Sequence, residues 1–249
     1  MFKKVAIFFL CVFVFGACSK KIEVKKDSET WFKEGLAHFE NKKYKKAAVA
    51  FEQEADTPEI AARSQLFLGD SKFFMEEYEE AVVSYNEYLT YYPDGEYAPQ
   101  ATLRLGLCYY KRLNSIDRDQ TNTEEALKIF RNLKSKFPAY ASENQVDEKI
   151  EKLLNMLAEK EYYVAKFYKK LGYRKSSEAR LKNLVENYFG TEIWPKAALD
   201  YAEFLVQDRE RKLQAIPILT RIMKQKDATK YLAEVSSLLK SLEERMGEQ

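Results

Sequence analysis

The chain has 249 residues, 46% hydrophobic and 32% charged, the proportions of a folded, soluble body with room for a sizeable core. Glycine and proline are scarce, at 8 and 6, against 17 Tyr and 16 Phe. That balance favours helices with bulky packing faces over turn-rich sheets, so the expected fold is all-α. The formal net charge is +2, and without Lys3 and Lys4 the basic and acidic residues are equal in number, which argues against a nucleic-acid footprint.

In chain order, Lys3 and Lys4 open a charged segment, and the unbroken apolar run Val5 to Phe15 is too short to span a bilayer. Residues 1–17 read as a signal peptide. The string Phe15-Gly16-Ala17-Cys18 then resembles the lipobox of bacterial lipoproteins, although Phe15 stands where leucine is usual. The alternative is an ordinary leader that happens to contain a cysteine. The lipobox resemblance implies lipid on Cys18 with several acyl chains, and two or more suffice for stable anchoring. It implies no other cofactor. Ser19, in place of an aspartate that would retain the protein at the inner membrane of enteric bacteria, implies the outer membrane, facing the periplasm. Cys11 leaves with the leader and Cys18 is consumed by lipid, so Cys108 has no partner for an intramolecular disulfide and reads as a small core residue. Residues 18–27 are polar and lack helical periodicity, as a flexible tether does.

An internal repeat organises the rest of the chain. Shifting the sequence by 34 residues brings Gly35 onto Gly69, Tyr44 onto Tyr78, Ala47 onto Ala81 and Phe51 onto Tyr85. The period and residue types resemble the tetratricopeptide repeat, in which helix A approaches helix B where glycine or alanine faces the partner and aromatics fill the gaps. A third unit carries Leu105-Gly106, Tyr109, Ala126, Phe130 and Pro138, with an insertion between its helices. A fourth keeps Tyr173 with Ser176 for alanine and Tyr188 for proline. A fifth, around Ala198 to Met223, is recognisable only by periodicity. The expected fold is therefore an all-α superhelical solenoid of about five repeats: repeats 1–3 over 28–140, and repeats 4–5 with a tail over 141–249. Thr57 reads as an N-cap before Pro58, and Thr121 to Glu124 as a capping box. Val146 to Leu171 reads as one long helix.

The inserted string Asp117-Arg118-Asp119-Gln120-Thr121 resembles the signature of the BamD family, lipoproteins of the β-barrel assembly machinery. Lys149-Ile150-Glu151 and the run Leu157 to Tyr168 resemble that family's long fourth-repeat helix. The resemblance implies a scaffold whose partners are a BamA-like barrel subunit with its periplasmic domains, unfolded outer membrane proteins, and other lipoproteins of the machinery. It assigns Asp117, Arg118, Asp119, Gln120 and Thr121 to the half that engages other subunits, and Arg180 to contact with the last periplasmic domain of BamA. Taken as residues alone, the three loop charges could instead pair among themselves and cap the next helix, and Arg180 could be a solvated helix charge. The resemblance also implies a groove on the A helices for substrate C-terminal signals. Phe32, Lys33, Leu36 and Phe39 of the first repeat and Arg63, Leu66, Phe67, Phe73 and Phe74 of the second would lie on or near it. There, rings would bury area while a cation meets a carboxylate. Simple core packing is the alternative for each ring.

No phosphate-cradling loop, nucleophile elbow or metal-ligand cluster is legible, and the one histidine, His38, lies on the first A helix with no supporting set. A non-enzymatic scaffold is expected. The rival within the same fold is another periplasmic tetratricopeptide lipoprotein that coordinates cell-wall synthesis or envelope constriction. Mass spectrometry of the mature chain should find Cys18 as an acylated N-terminal residue, and Cys18→Ala should release the protein from the membrane fraction; an unacylated Cys18 would refute the anchor.

Overall fold

Asp27 opens the first helix by accepting the Thr30 N–H at 2.7 Å, and Thr57 opens the third by accepting that of Ile60 at 3.3 Å, with Pro58 in the first turn. The computed structural model describes residues 26–247; the leader, Cys18 and the tether up to residue 25 lie outside the described residues. Their α-helices are α1 (Ser28–Glu40), α2 (Tyr44–Phe51), α3 (Pro58–Phe74), α4 (Tyr78–Tyr91), α5 (Ala98–Lys111), α6 (Thr121–Lys136), α7 (Pro138–Glu143), α8 (Val146–Lys170), α9 (Arg174–Asn187), α10 (Trp194–Val206), α11 (Ala215–Met223) and α12 (Leu232–Gly247). The pairs α1/α2, α3/α4, α5/α6, α8/α9 and α10/α11 form hairpins, and each hairpin packs its second helix on the first helix of the next. The first helices α1, α3 and α5 also touch in succession. This is the stacked-hairpin solenoid that the 34-residue period predicts. Beyond the fifth hairpin, α12 buries Val235 and Leu242 in the core formed by α10 and α11.

Close approach within a hairpin depends on a missing side chain. A Cβ on Gly35 would lie 2.6 Å from the Phe51 ring, one on Gly69 would lie 2.7 Å from Tyr85, and one on Gly106 would lie 2.5 Å from Phe130. Four residues before each ring, Ala47, Ala81 and Ala126 are fully buried. The same small-then-bulky pair continues as Ser177 with Leu181 and as Ala215 with Leu219, all buried.

The turn between paired helices is repeated bond for bond. Lys43 N–H donates to His38 O at 2.9 Å, Glu77 to Lys72 at 3.0 Å and Tyr173 to Tyr168 at 3.0 Å. The residue before each donor is left-handed: Lys42 at φ 56, Glu76 at φ 63 and Gly172 at φ 80. These are Schellman closures, and only the fourth hairpin uses the residue that adopts this conformation without strain.

Those turns correct the register expected for the fourth repeat. Gly172 matches Glu76, so Arg174, not Tyr173, occupies the place of Tyr44 and Tyr78. Ser177 is the buried small residue, whereas Ser176 is exposed. At the far end Tyr188 matches the aromatic C-caps Tyr92 and Phe137, with φ of −123, −132 and −133, and Phe189 takes the position of Pro93 and Pro138. The capping box at Thr121 is also absent: Thr121 already lies inside α6, and its N–H is taken by the Asp119 carboxylate at 3.0 Å. Asp119, two residues upstream, satisfies the same free donor one step earlier.

Ser177 Oγ is buried with no hydrogen-bond partner, at a place that repeats 1, 2, 3 and 5 fill with alanine. Ser177→Ala should therefore raise stability by about 1 kcal/mol. Gly69→Ala should lower it by about 1–3 kcal/mol by forcing the Tyr85 ring aside. Urea denaturation of both variants checks the pair of signs.

Candidate binding surfaces

The A-helix seam of the first two repeats is built from phenylalanines. Phe32 meets Phe67 at a centroid distance of 6.0 Å, Phe67 meets Phe39 at 5.5 Å and Phe39 meets Phe74 at 5.8 Å, so a continuous ladder of rings crosses from α1 to α3 and back. Its members differ in exposure. Phe32, Leu66 and Phe73 are buried and hold the hairpins together; Leu36, Phe39, Phe67 and Arg63 are half-buried; Phe74 is 42% exposed, and Lys33 is exposed beside Glu29 at 3.2 Å. The expected groove thus separates into a packed floor and an accessible edge formed by Phe39, Phe67 and Phe74. Tyr44 stacks on Phe74 at 5.1 Å and completes that edge.

Arginines flank the ladder at both ends. The Arg63 guanidinium lies 4.4 Å over the Phe32 ring, and its Nε is buried without a partner. Arg104, on α5, lies 5.2 Å over Phe73 and 5.4 Å over Phe74. Arg104 also pairs with Asp70, which accepts Tyr85 Oη–H at 2.5 Å and Gln100 Nε2–H at 3.1 Å. Burial pushes the Asp70 carboxyl above the ordinary carboxylate range, against the opposing pull of Tyr85, Arg104 and Gln100. Asp70 and Arg104 carry no sequence signal that marks them out, because their pairing joins repeats 2 and 3 across helices. Nearby Cys108 is fully buried, and burial pushes its thiol up to about 12.

The inserted loop of the third repeat holds itself in one shape. Gln120, buried, donates to Ser115 O at 2.9 Å and Arg118 O at 3.2 Å while its own carbonyl accepts Thr123 Oγ1–H at 2.8 Å. Asp117 accepts from Ser115 Oγ at 2.5 Å and Asp119 from Thr121 N–H. Those hydrogen bonds hold both carboxyls below the usual range. The charges do not pair with one another: the Arg118 side chain is exposed with no ion pair among the described residues. From α8, Lys160 Nζ donates to Arg118 O at 3.1 Å and ties the loop to the long helix.

The next residue of α8, Glu161, accepts from Arg180 Nη1 at 3.0 Å and 3.3 Å, holding a half-exposed arginine in place. Arg180 is thus neither free in solvent nor buried. Further along, Tyr163 and Phe167 on the outer side of α8 and Leu171 at its C-cap recur at 46%, 52% and 52% exposure, an apolar stripe that is hidden in the sequence within the helix's overall periodicity. The loop, α8 and Arg180 therefore form one connected surface.

Residues 24–203 match the family described as YfiO, outer membrane lipoprotein. The chain belongs to this family. A protein named outer membrane protein assembly factor BamD from Rickettsia prowazekii (strain Madrid E) is 29% identical over 187 residues, 70% of this chain and 72% of its own length. Its namesake from Caulobacter vibrioides is 28% identical over 147 residues, 58% of this chain and 48% of its own, so the match spans about half of that relative. A solved thermophilic TPR protein from Thermus thermophilus is 16% identical, with a TM-score of 0.36 over 85% of this chain and 98% of that one.

Gln120 makes three of the bonds that shape the inserted loop. Gln120→Ala should cost about 1–3 kcal/mol locally, through the buried Thr123 hydroxyl left unpaired, while the Ser115 and Arg118 carbonyls keep Arg118 N–H and Lys160 Nζ. Hydrogen exchange at residues 114–121 should accelerate while the helices of repeats 1 and 2 stay protected; unchanged exchange in the loop would refute this role.

Proposed function

We propose that the chain is a periplasmic scaffold of outer membrane protein assembly, anchored to the outer membrane by lipid on Cys18, that brings substrate and barrel-forming subunit together. The observation that carries the reading is the family match over residues 24–203, which takes in both candidate surfaces. The relatives named as assembly factors lend it the same direction. Among the described residues no helix is long and apolar enough to cross a membrane.

On this reading the accessible edge of the phenylalanine ladder receives the C-terminal segments of unfolded outer membrane proteins. Such segments end in an aromatic residue and a carboxylate, and half-exposed rings with flanking arginines offer each a counterpart. The second surface docks the periplasmic domains of a BamA-like subunit. Its exposed Arg118, its apolar stripe and the Glu161-positioned Arg180 supply a charged rim around large apolar contacts, the usual anatomy of an interface.

Recovery on the full chain from detergent-solubilised envelopes should yield an outer membrane barrel with repeated periplasmic domains, and Arg118→Glu with Phe167→Ser should reduce that yield. Recovery of peptidoglycan synthases in its place would reject the proposal. For the groove, replacing Phe39 and Phe74 together by serine should weaken binding of aromatic-ended peptides about tenfold, 1.4 kcal/mol, without lowering helix content by circular dichroism.

A further inference from the structure

The open end of the phenylalanine ladder carries a cation that is aimed but only partly used. Arg104 brings Nε to 3.4 Å from Asp70 Oδ1, and Asp70, 3% exposed, is itself fixed by Tyr85 and Gln100. A guanidinium has five N–H donors in a rigid fork. The Arg104–Asp70 contact is made at Nε, and among the described residues Nη1 and Nη2 make no hydrogen bond. They are not sealed off either, because the buried polar side-chain atoms without a partner are Arg63 Nε and Ser177 Oγ. Beneath the fork lie the buried Phe73 and the exposed Phe74.

The arrangement has three consequences. Asp70 from one side and the Phe73 and Phe74 rings from another hold the guanidinium in place, so less rotational freedom is left to lose on binding. The rings exclude water from one side of the fork, which strengthens a charge-assisted bond made there. Phe74, stacked on Tyr44 and edge-on to Phe39, leaves an apolar ledge next to the free Nη atoms. A fork for a carboxylate beside a ledge for a ring matches a peptide terminus whose last side chain is aromatic.

We propose that Arg104, positioned by Asp70, reads the terminal carboxylate of the peptide bound on the phenylalanine edge, with the last aromatic side chain packed against Phe74. This rests on the proposed substrate groove and adds to it the residue that distinguishes a chain end from an internal apolar segment. A lysine would supply charge without the two-pronged geometry.

The test uses the full chain in detergent and two fluorescent octapeptides of one sequence ending in phenylalanine, one with a free carboxylate and one with a carboxamide. The unsubstituted protein should favour the acid about tenfold, the scale of one charge-assisted contact. In R104Q the preference should fall to within about twofold while affinity for the amide is kept, and D70N should lose most of the preference by freeing the guanidinium. R104K, which keeps the charge and most of the packing, should fall between, and it decides the matter if R104Q does not fold. An undiminished preference in R104Q or R104K would overturn the assignment and leave the groove standing. Loss of both peptides together in folded R104Q would make Arg104 a packing residue and also overturn it. If the unsubstituted protein binds both peptides equally, Arg104 alone is rejected; if it binds neither, the groove falls with it.

Discussion

Three glycines decide how close the paired helices of the first three hairpins come. At Gly35, Gly69 and Gly106 an added methyl group would run into the ring of Phe51, Tyr85 or Phe130, so each ring abuts bare backbone of the partner helix. Interiors packed at crystal-like density do not absorb such an addition without displacement. Because the same contact recurs, the inclination of each hairpin is repeated, and the first helices are brought to touch one another. The phenylalanine ladder is a product of that seam: Phe32 and Phe39 from α1 meet Phe67 and Phe74 from α3 only because the hairpins stack at this spacing.

The second half of the chain varies the rule. The fourth hairpin replaces glycine by Ala165 and the aromatic by Leu181, a smaller side chain that leaves room for the added methyl group, and lengthens its first helix to 25 residues. Tyr163 and Phe167 are exposed on the outer side of α8, and Lys160 and Glu161 use adjacent positions to fix the inserted loop and Arg180. Order in that loop comes from Gln120 together with the hydrogen bonds accepted by Asp117 and Asp119, while the Arg118 side chain remains outward.

Much of this was legible in the sequence because the repeat is a matter of local spacing. Glycine against aromatic, alanine four residues before it, and the long apolar periodicity of α8 all fall within reach of a window of one repeat. The fourth repeat misled by a single residue, since Tyr173 imitates Tyr44 and Tyr78, while the left-handed residue that fixes the register is visible only in the backbone. The split of the ladder into floor and edge, and the pairing of Asp70 with Arg104, depend on contacts between different hairpins. No periodicity along the chain encodes them.

Cys108 offers a last consequence. It lies with no exposed surface in the core of the second and third hairpins, and its thiol is pushed up to about 12. Disulfide exchange requires an accessible thiolate, and this sulfur provides neither access nor anion. In the oxidising surroundings proposed for the protein, a lone cysteine so held is immune to cross-linking with nascent chains that still seek their own sulfur partners. On the proposed function, the folded body keeps this cysteine without becoming covalently attached to the chains it would carry.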